Sequence, residues 1–253
     1  MAARALGTCL ILTLAAITPS EAAARLQAAE AEARSLIDGP QAPGSLTRAI
    51  ALLEDARGRG EEVGVLTLLA EAYYLQGHEL DDRDRAVKEL ETAIVRADQA
   101  LAVVPGHVPA RYWRALSLLA KAGKLRGVES LGLVREAMRE MEVVAAADPT
   151  LDNAGAHRAM GKVYLDSPMW FLGDTDKAIE QLETARRLAP HSLQTRRFLA
   201  AAYAEDGREE DALRELDELL RLPSAPGRAA SEQEERDLAR RLAERIRARL
   251  KKP

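Results

Sequence analysis

The sequence predicts an all-α solenoid of stacked helix hairpins, closed by a C-terminal capping helix. Three observations carry this. One helix-pair signature occurs twice in the last third of the chain. Met160-Gly161-x-x-Tyr164 is followed by Ala178, Leu182, Ala185 and Pro190, and Leu199-Ala200-x-x-Tyr203 by Ala212, Leu216, Leu219 and Pro223. Repetition at this period marks hairpins that bury their apolar faces only by stacking on one another. Apolar residues are 47% of the 253 residues but aromatics only 4%. The apolar content is therefore chiefly Ala and Leu, which suits closely packed helices. Alternating runs of β-branched and aromatic residues at strand length are missing.

The first 22 residues read as an export signal. Arg4 supplies the positive end, and Leu6 to Ile17 is an apolar run too short to span a bilayer. Pro19 breaks the run, and Ser20-Glu21-Ala22 offers small residues for a signal peptidase, so cleavage is expected near Ala22. Leu6-Gly7-Thr8-Cys9 resembles a lipoprotein box only superficially, because the apolar run follows the cysteine instead of ending at it. No lipid anchor is expected, and membrane contact would require the N-terminal segment to be retained. Cys9 is the sole cysteine, so the mature chain would have no disulfide and no thiolate chemistry.

Residues 23–223 are expected to form four to five helix pairs. Ala22 to Ile37 is a helix, and Gly39 to Gly44 a loop punctuated by glycine and proline. Leu46 to Arg57 sets Ala49, Ile50, Leu53 and Ala56 on one face. Val63 to Gln76 follows, carrying Leu69-Ala70-x-x-Tyr73, then a polar turn from Gly77 to Asp84. Helices are next expected from Arg85 to Val104, from Pro109 to Ala122 and from Val128 to Ala147. Pro109 suits a first helical turn. Ala154 to Leu165 pairs with Asp174 to Leu188, and Ser192 to Glu205 with Arg208 to Leu222. Residues 224–253 hold the rest of a linker and a final helix opened by the capping box Ser231-x-x-Glu234. Its apolar face is Leu238, Leu242, Ile246 and Leu250, suited to covering the last hairpin.

The Met160 and Leu199 units resemble tetratricopeptide repeats, hairpins of roughly 34 residues. That resemblance implies a right-handed superhelical solenoid acting as an interaction scaffold. It also assigns structural roles. Gly161 and Ala200 are small where the second helix crosses, and Ala178, Ala185 and Ala212 for the reciprocal reason. Tyr164 and Tyr203 fill the space between hairpins, and Pro190 ends a second helix. Earlier units match more loosely, through Ala70, Tyr73, Ala86 and Ala93, then Ser117, Ala120, Ala137 and Val144. Tyr203 to Ala212 is nine residues, the regular spacing. Tyr73 to Ala86 is thirteen, Tyr164 to Ala178 fourteen and Ala120 to Ala137 seventeen. Such additions are expected to lengthen turns along one edge, often the binding edge of a solenoid.

A narrower resemblance rests on Asp148-Pro149, Gly155-Ala156-His157-Arg158, Pro168, Gly173-Asp174 and Lys177-Ala178. That series is similar to the T-component of tripartite, periplasmic-binding-protein-dependent transporters. It implies a partner that is a periplasmic solute-binding protein, and a small organic ligand that is bound or channelled.

Composition excludes several classes. The net charge of −4, with 30% charged residues, lacks the basic excess that drives nucleic-acid binding. Basic residues from Arg240 to Lys252 share the terminal segment with Glu232, Glu234, Glu235, Asp237 and Glu244 and read as a solvated helix face. Phosphate-loop, dinucleotide and nucleophile-elbow motifs are absent. The four histidines lack metal-site spacing. No enzyme, metal or cofactor is expected. The partner is expected to be a protein or peptide. Candidate contact residues are Met169, Trp170 and Phe171, four large apolar side chains in a row with Leu172, in a turn where exposed apolar groups need a reason. Trp113, flanked by Arg111 and Arg114 on one helix face, is a second candidate, and His157 with Arg158 a third.

Overall fold

The computed structural model describes residues 19–39, 42–57, 62–125, 128–224 and 229–251. Among these it holds eleven helices and no strand. They are α1 (Pro19–Asp38), α2 (Ser45–Arg57), α3 (Val63–Glu79), α4 (Arg83–Val103), α5 (Val108–Lys124) and α6 (Glu129–Ala147). Then come α7 (Leu151–Asp166), α8 (Thr175–Leu188), α9 (Leu193–Glu205), α10 (Glu209–Arg221) and α11 (Ala229–Leu250). The predicted export signal lies outside the described residues, apart from the backbone of 19–22, which opens α1. None of the described helices is long and apolar enough to cross a membrane.

Consecutive helices pair as five hairpins, α1/α2 to α9/α10, and α11 packs on α9 and α10. The first helix of each hairpin also touches the first helix of the next, giving an α1-α3-α5-α7-α9-α11 layer. The second helices pack their backbones closely only on their sequence neighbours and form the other layer, bridged from one second helix to the next by long side chains such as Arg96 to Glu54 and Arg186 to Glu215. The cause is in the seams. Ala86, Ala93, Ala97 and Ala100 on α4 are fully buried, as are Ala178 and Ala185 on α8. Small residues at three- to seven-residue steps let helix axes approach, while Leu90, Leu182 and Leu216 fill the space between them.

The crossing at Gly161 is as close as the spacing predicts. A Cβ there would lie 2.5 Å from Leu182 Cγ and 3.2 Å from the Ala178 carbonyl oxygen. In the α3/α4 hairpin the equivalent residue is Gly77, two turns beyond Ala70. Its Cβ would lie 2.9 Å from Leu90 Cγ and 3.1 Å from the Ala86 carbonyl oxygen. Tyr203 donates to Glu183 on α8 at 2.6 Å, and Tyr73 to Glu54 on α2 at 3.1 Å. Each tyrosine thus ties its hairpin to the preceding one.

The final helix turns a different face inward from the one expected. Arg236, Ala239, Ala243 and Ile246 form the buried seam, with Leu242 alongside, whereas Leu250 is exposed. Arg236 has a reason to be inside. It donates to the carbonyls of Leu219 at 3.1 Å, Leu220 at 3.3 Å and Leu222 at 2.7 Å. These carbonyls lie at and just past the C-terminus of α10, where the helical ladder runs out, and that of Leu219 also accepts the Leu222 amide at 3.3 Å. The side chain of Ser231, expected to cap α11, is outside the described residues.

Candidate partner-binding site

The added residues of the looser repeats do not all form turns. The α3/α4 connection is only Leu80–Asp82, as short as Asp206–Arg208 between α9 and α10. There the extra residues lengthen the helices, because Gln76 to Glu79 continue the helical pattern and Asp82 caps α4 by accepting from the Arg85 amide at 2.9 Å. Between α5 and α6 the gap is 125–128. Of the three hairpins with added residues, α7/α8 has the longest connection, residues 167–174.

That loop is closed at its neck. The Pro168 carbonyl accepts from the amides of Phe171, Leu172 and Gly173 at 2.9, 3.3 and 3.0 Å. The Asp174 amide donates to the Tyr164 carbonyl at 3.1 Å, and the Asp174 carboxylate caps α8 through the Lys177 amide at 3.0 Å. Gly173 is required by space: a Cβ there would stand 2.3 Å from the Ser167 carbonyl oxygen. The four apolar side chains divide into two pairs. Leu172 packs on the core around Tyr112 and Met160. Phe171 is half-buried, with the Arg135 guanidinium of α6 5.0 Å from its ring. Met169 and Trp170 project outward, 92% and 76% exposed. The Trp170 ring stays 6.1 Å from that of Phe171.

The other candidates are bonded within the protein. Arg111 donates to Glu140 at 2.5 Å and to the Pro105 carbonyl at 3.1 Å. Arg114 reaches Asp98 at 2.6 Å and Glu136 at 2.7 Å, joining α4, α5 and α6. Their shared helix face therefore meets carboxylates of this chain. Trp113 stacks obliquely between Tyr74 and Tyr112, with centroids 5.5 and 5.1 Å away. His157 Nδ1 lies 2.8 Å from Gln181 Oε1 on α8. Arg158 donates to the carbonyls of Asp152 and Asn153 and, at 2.9 Å, to the Asp152 carboxylate. There it braces a left-handed turn, since Asp152, Asn153 and Ala154 have φ of 48°, 55° and 59°.

A buried polar cluster on the layer of first helices escaped the sequence reading. Glu71 of α3 is only 5% exposed and accepts from Arg34 of α1 at 2.8 Å. Burial pushes its carboxyl up to about 7, against the attraction of Arg34 and with added repulsion from Asp38 and Asp152. Asp152 accepts from the Tyr112 hydroxyl at 2.5 Å. Burial, then the Asp152 charge, drives the Tyr112 phenol well above its ordinary range. Gly155 admits this contact, because a Cβ there would sit 2.1 Å from the Tyr112 hydroxyl. One signal was available in the sequence: Glu71 is the sole charged residue between Val65 and Ala72.

Surface depressions of about 400 and 270 Å³ lie elsewhere, between Ala42–Thr47 and Gln76–Leu80 and between α1 and α2, both open to solvent. Among the described residues, no three His, Cys, Asp or Glu side chains are grouped to hold a metal.

The stacked hairpins can now be set beside known proteins. The tetratricopeptide repeat family matches residues 172–223, the α8–α10 segment with the loop residues that precede it. A crystal structure of TTC0263, a thermophilic TPR protein in Thermus thermophilus, superposes with a TM-score of 0.64 at 21% identity. It covers 87% of this chain and 97% of its own. This is a tetratricopeptide-repeat fold. MamA 41-end from Desulfovibrio magneticus RS-1 superposes on the same repeat array with a TM-score of 0.51 at 19% identity, covering 82% of this chain and 97% of its own. No curated protein matches. Neither the matched family nor these two structures is described as a transport component, so the narrower resemblance to the transporter T-component gains no support.

Proposed function

We propose that this repeat protein is an exported, non-enzymatic scaffold that docks a protein partner through the tip of loop 167–174. The observation that carries this is the exposure of Met169 and Trp170, 92% and 76%, on a loop whose neck is closed by the Pro168 carbonyl and by Gly173. Leaving a tryptophan and a methionine side by side in water forgoes several kcal/mol of burial, of the order of 1.5–3 kcal/mol for each such side chain. A partner pocket recovers it. The closed neck has already ordered the backbone, so docking loses little further entropy. Tryptophan is also the residue most often found at energetic centres of interfaces. Binding in place of chemistry is supported by the first helices of the hairpins, where Arg34, Arg111, Arg114, Arg158 and His157 are each bonded to groups of this chain. Export is supported by the charged start, apolar run and small residues of positions 1–22.

The test places a photo-crosslinking phenylalanine analogue at Trp170 and, as a control, at exposed Val128, in cells of the native host. A partner captured only from position 170 is then purified. Met169→Ala/Trp170→Ala is expected to weaken its binding by about thirtyfold or more, the scale of a hot-spot loss. Equal capture from both positions, or unchanged affinity of the double variant with an intact fold, removes the reading. Cell fractionation with N-terminal mass analysis tests export, with a mature chain expected to begin at or near residue 23.

A further inference from the structure

We infer that Met169 is a methionine-oxidation site that switches the docking tip, an inference that rests on the proposed role of that tip. The four described methionines fall into two classes. Met138, Met141 and Met160 are 5%, 0% and 4% exposed and sit in one core cluster, whereas Met169 is 92% exposed. Thioether oxidation follows access to the sulfur. Peroxide reaches Met169 freely, and the other three only when the core opens. Cys9, the sole thiol, lies in the segment expected to be removed on export, so Met169 is the exposed soft sulfur of the mature chain.

The chemistry balances simply. The sulfur lone pair attacks a peroxide oxygen, an S–O bond forms and the O–O bond breaks. Sulfur is oxidised to the sulfoxide, and the peroxide is reduced to water. A methionine sulfoxide reductase reverses the step with a dithiol as reductant.

The position gives the modification a local effect. The bonds that close the loop run from the Pro168 carbonyl to the amides of Phe171, Leu172 and Gly173. The core is reached by Leu172. None of these contacts uses the Met169 side chain, so sulfoxidation leaves the fold alone. It does place a polar, strongly accepting S=O beside Trp170, on the surface that would enter a partner pocket. Burying that group without a hydrogen bond costs more than the apolar contact it replaces. The oxidised tip therefore releases its partner while the array stays folded. Oxidation of Met141, fully buried against Tyr112 and Ala137, would instead disrupt the core.

Two measurements test this separately. In the first, the purified chain is treated with hydrogen peroxide, and oxygen uptake at each methionine is followed by peptide mass analysis, with the unfolding midpoint measured in parallel. Met169 is expected to oxidise about tenfold or more faster than Met138, Met141 and Met160, with no change in midpoint. Comparable rates at Met169 and Met138 overturn the site, as does a midpoint that falls when Met169 alone is oxidised. In the second, the chain carrying the crosslinker at position 170 is exposed to peroxide before illumination, beside the same chain with Met169→Leu. The crosslinked band is expected to fall about tenfold for the methionine chain, a change of about 1.4 kcal/mol, and to persist for Met169→Leu. Persistence in both overturns the switch while leaving the docking role intact. Loss of the band in untreated cells removes the docking role, and the switch with it, without touching the oxidation rates.

Discussion

Glu71→Gln tests the electrostatics of the buried cluster on α3 most directly. The folded chain holds the Glu71 proton up to about pH 7, against an ordinary value of 4.5, because burial outweighs the bond from Arg34. The folded state therefore binds this proton more tightly than the unfolded state does. Its contribution to stability is fully present below about pH 4.5 and is lost as pH rises through 7. At roughly 1.4 kcal/mol for each pH unit of displacement, the loss amounts to about 3 kcal/mol. Glu54 works in the opposite sense. Burial raises it, but bonds from Arg96, Arg57 and Tyr73 prevail and hold it below its ordinary value. The wild-type profile alone therefore mixes signs, and the difference between wild type and Glu71→Gln isolates Glu71. The amide keeps the shape and still accepts from Arg34 without a charge to desolvate. The variant should match the wild type near pH 4.5 and exceed it by about 1–3 kcal/mol at pH 8. Urea denaturation at pH 5, 6, 7 and 8, read by tryptophan fluorescence and by amide exchange in α3, measures this. Local readout matters, since repeat arrays can unfold in parts. A difference that stays flat from pH 5 to 8 refutes the reasoning.

Three further substitutions probe the scaffold. Arg236→Met removes the donor for three carbonyls at and just past the end of α10 and should cost about 2–4 kcal/mol; amide exchange in α11 should quicken, and unchanged protection there refutes this role of Arg236. Gly161→Ala gains about 1 kcal/mol in helix propensity but forces a Cβ to 2.5 Å from Leu182 Cγ. With about 1–3 kcal/mol of overpacking, a lower urea midpoint is expected, and a higher one contradicts the close crossing. Gly173→Ala pushes a Cβ to 2.3 Å from the Ser167 carbonyl oxygen and should open the loop neck. Chymotrypsin should then cut after Trp170 or Phe171 faster than in the wild type, with the global midpoint little changed, and equal cutting rates would show that the neck does not constrain the loop.

Local signals were legible in the sequence. Helix positions followed from apolar spacing, and Asp174 was readable as a cap because its carboxylate needs only an amide three residues on. The stretch from Met169 to Leu172 was visible as a concentration of large apolar side chains, since no other turn carries one. What depended on neighbours in space was not legible. Thirteen residues between Tyr73 and Ala86 can lengthen a turn or two helices, and only the packing of Gly77 on Leu90 chooses the helices. The seam of α11 takes in Arg236, whose guanidinium meets carbonyls contributed by Leu219, Leu220 and Leu222, and leaves Leu250 exposed. Arg111 and Arg114 looked available to a ligand because Glu136, Glu140 and Asp98 lie 16 to 29 residues away in the chain. The left-handed turn leaves only a weak local mark, Asp152-Asn153, residue types that tolerate positive φ, and the bonds from Arg158 and Tyr112 that hold it come from elsewhere in the fold.

These networks explain how seams made of alanine and leucine choose one stacking. Small-residue stripes are permissive, because one helix can slide along another by a turn and still find alanine opposite leucine. A half-buried carboxylate with donors on neighbouring helices permits only one register. Glu54 of α2 receives Tyr73 from α3 and Arg96 from α4, at 3.1 and 2.8 Å. Glu140 of α6 receives Arg111 from α5 at 2.5 Å. Glu215 of α10 receives Arg196 from α9 at 2.6 Å and Arg186 from α8 at 3.2 Å. Each group spans an interface that apolar contact alone leaves under-determined. Partly desolvated pairs add little net stability against apolar replacements, so their value here lies in selecting the register. The charged side chains spent on register are withdrawn from the surface. Outside the networks, the apolar tip formed by Met169 and Trp170 stays exposed, which is why the proposed docking role is assigned to it and not to the paired charges.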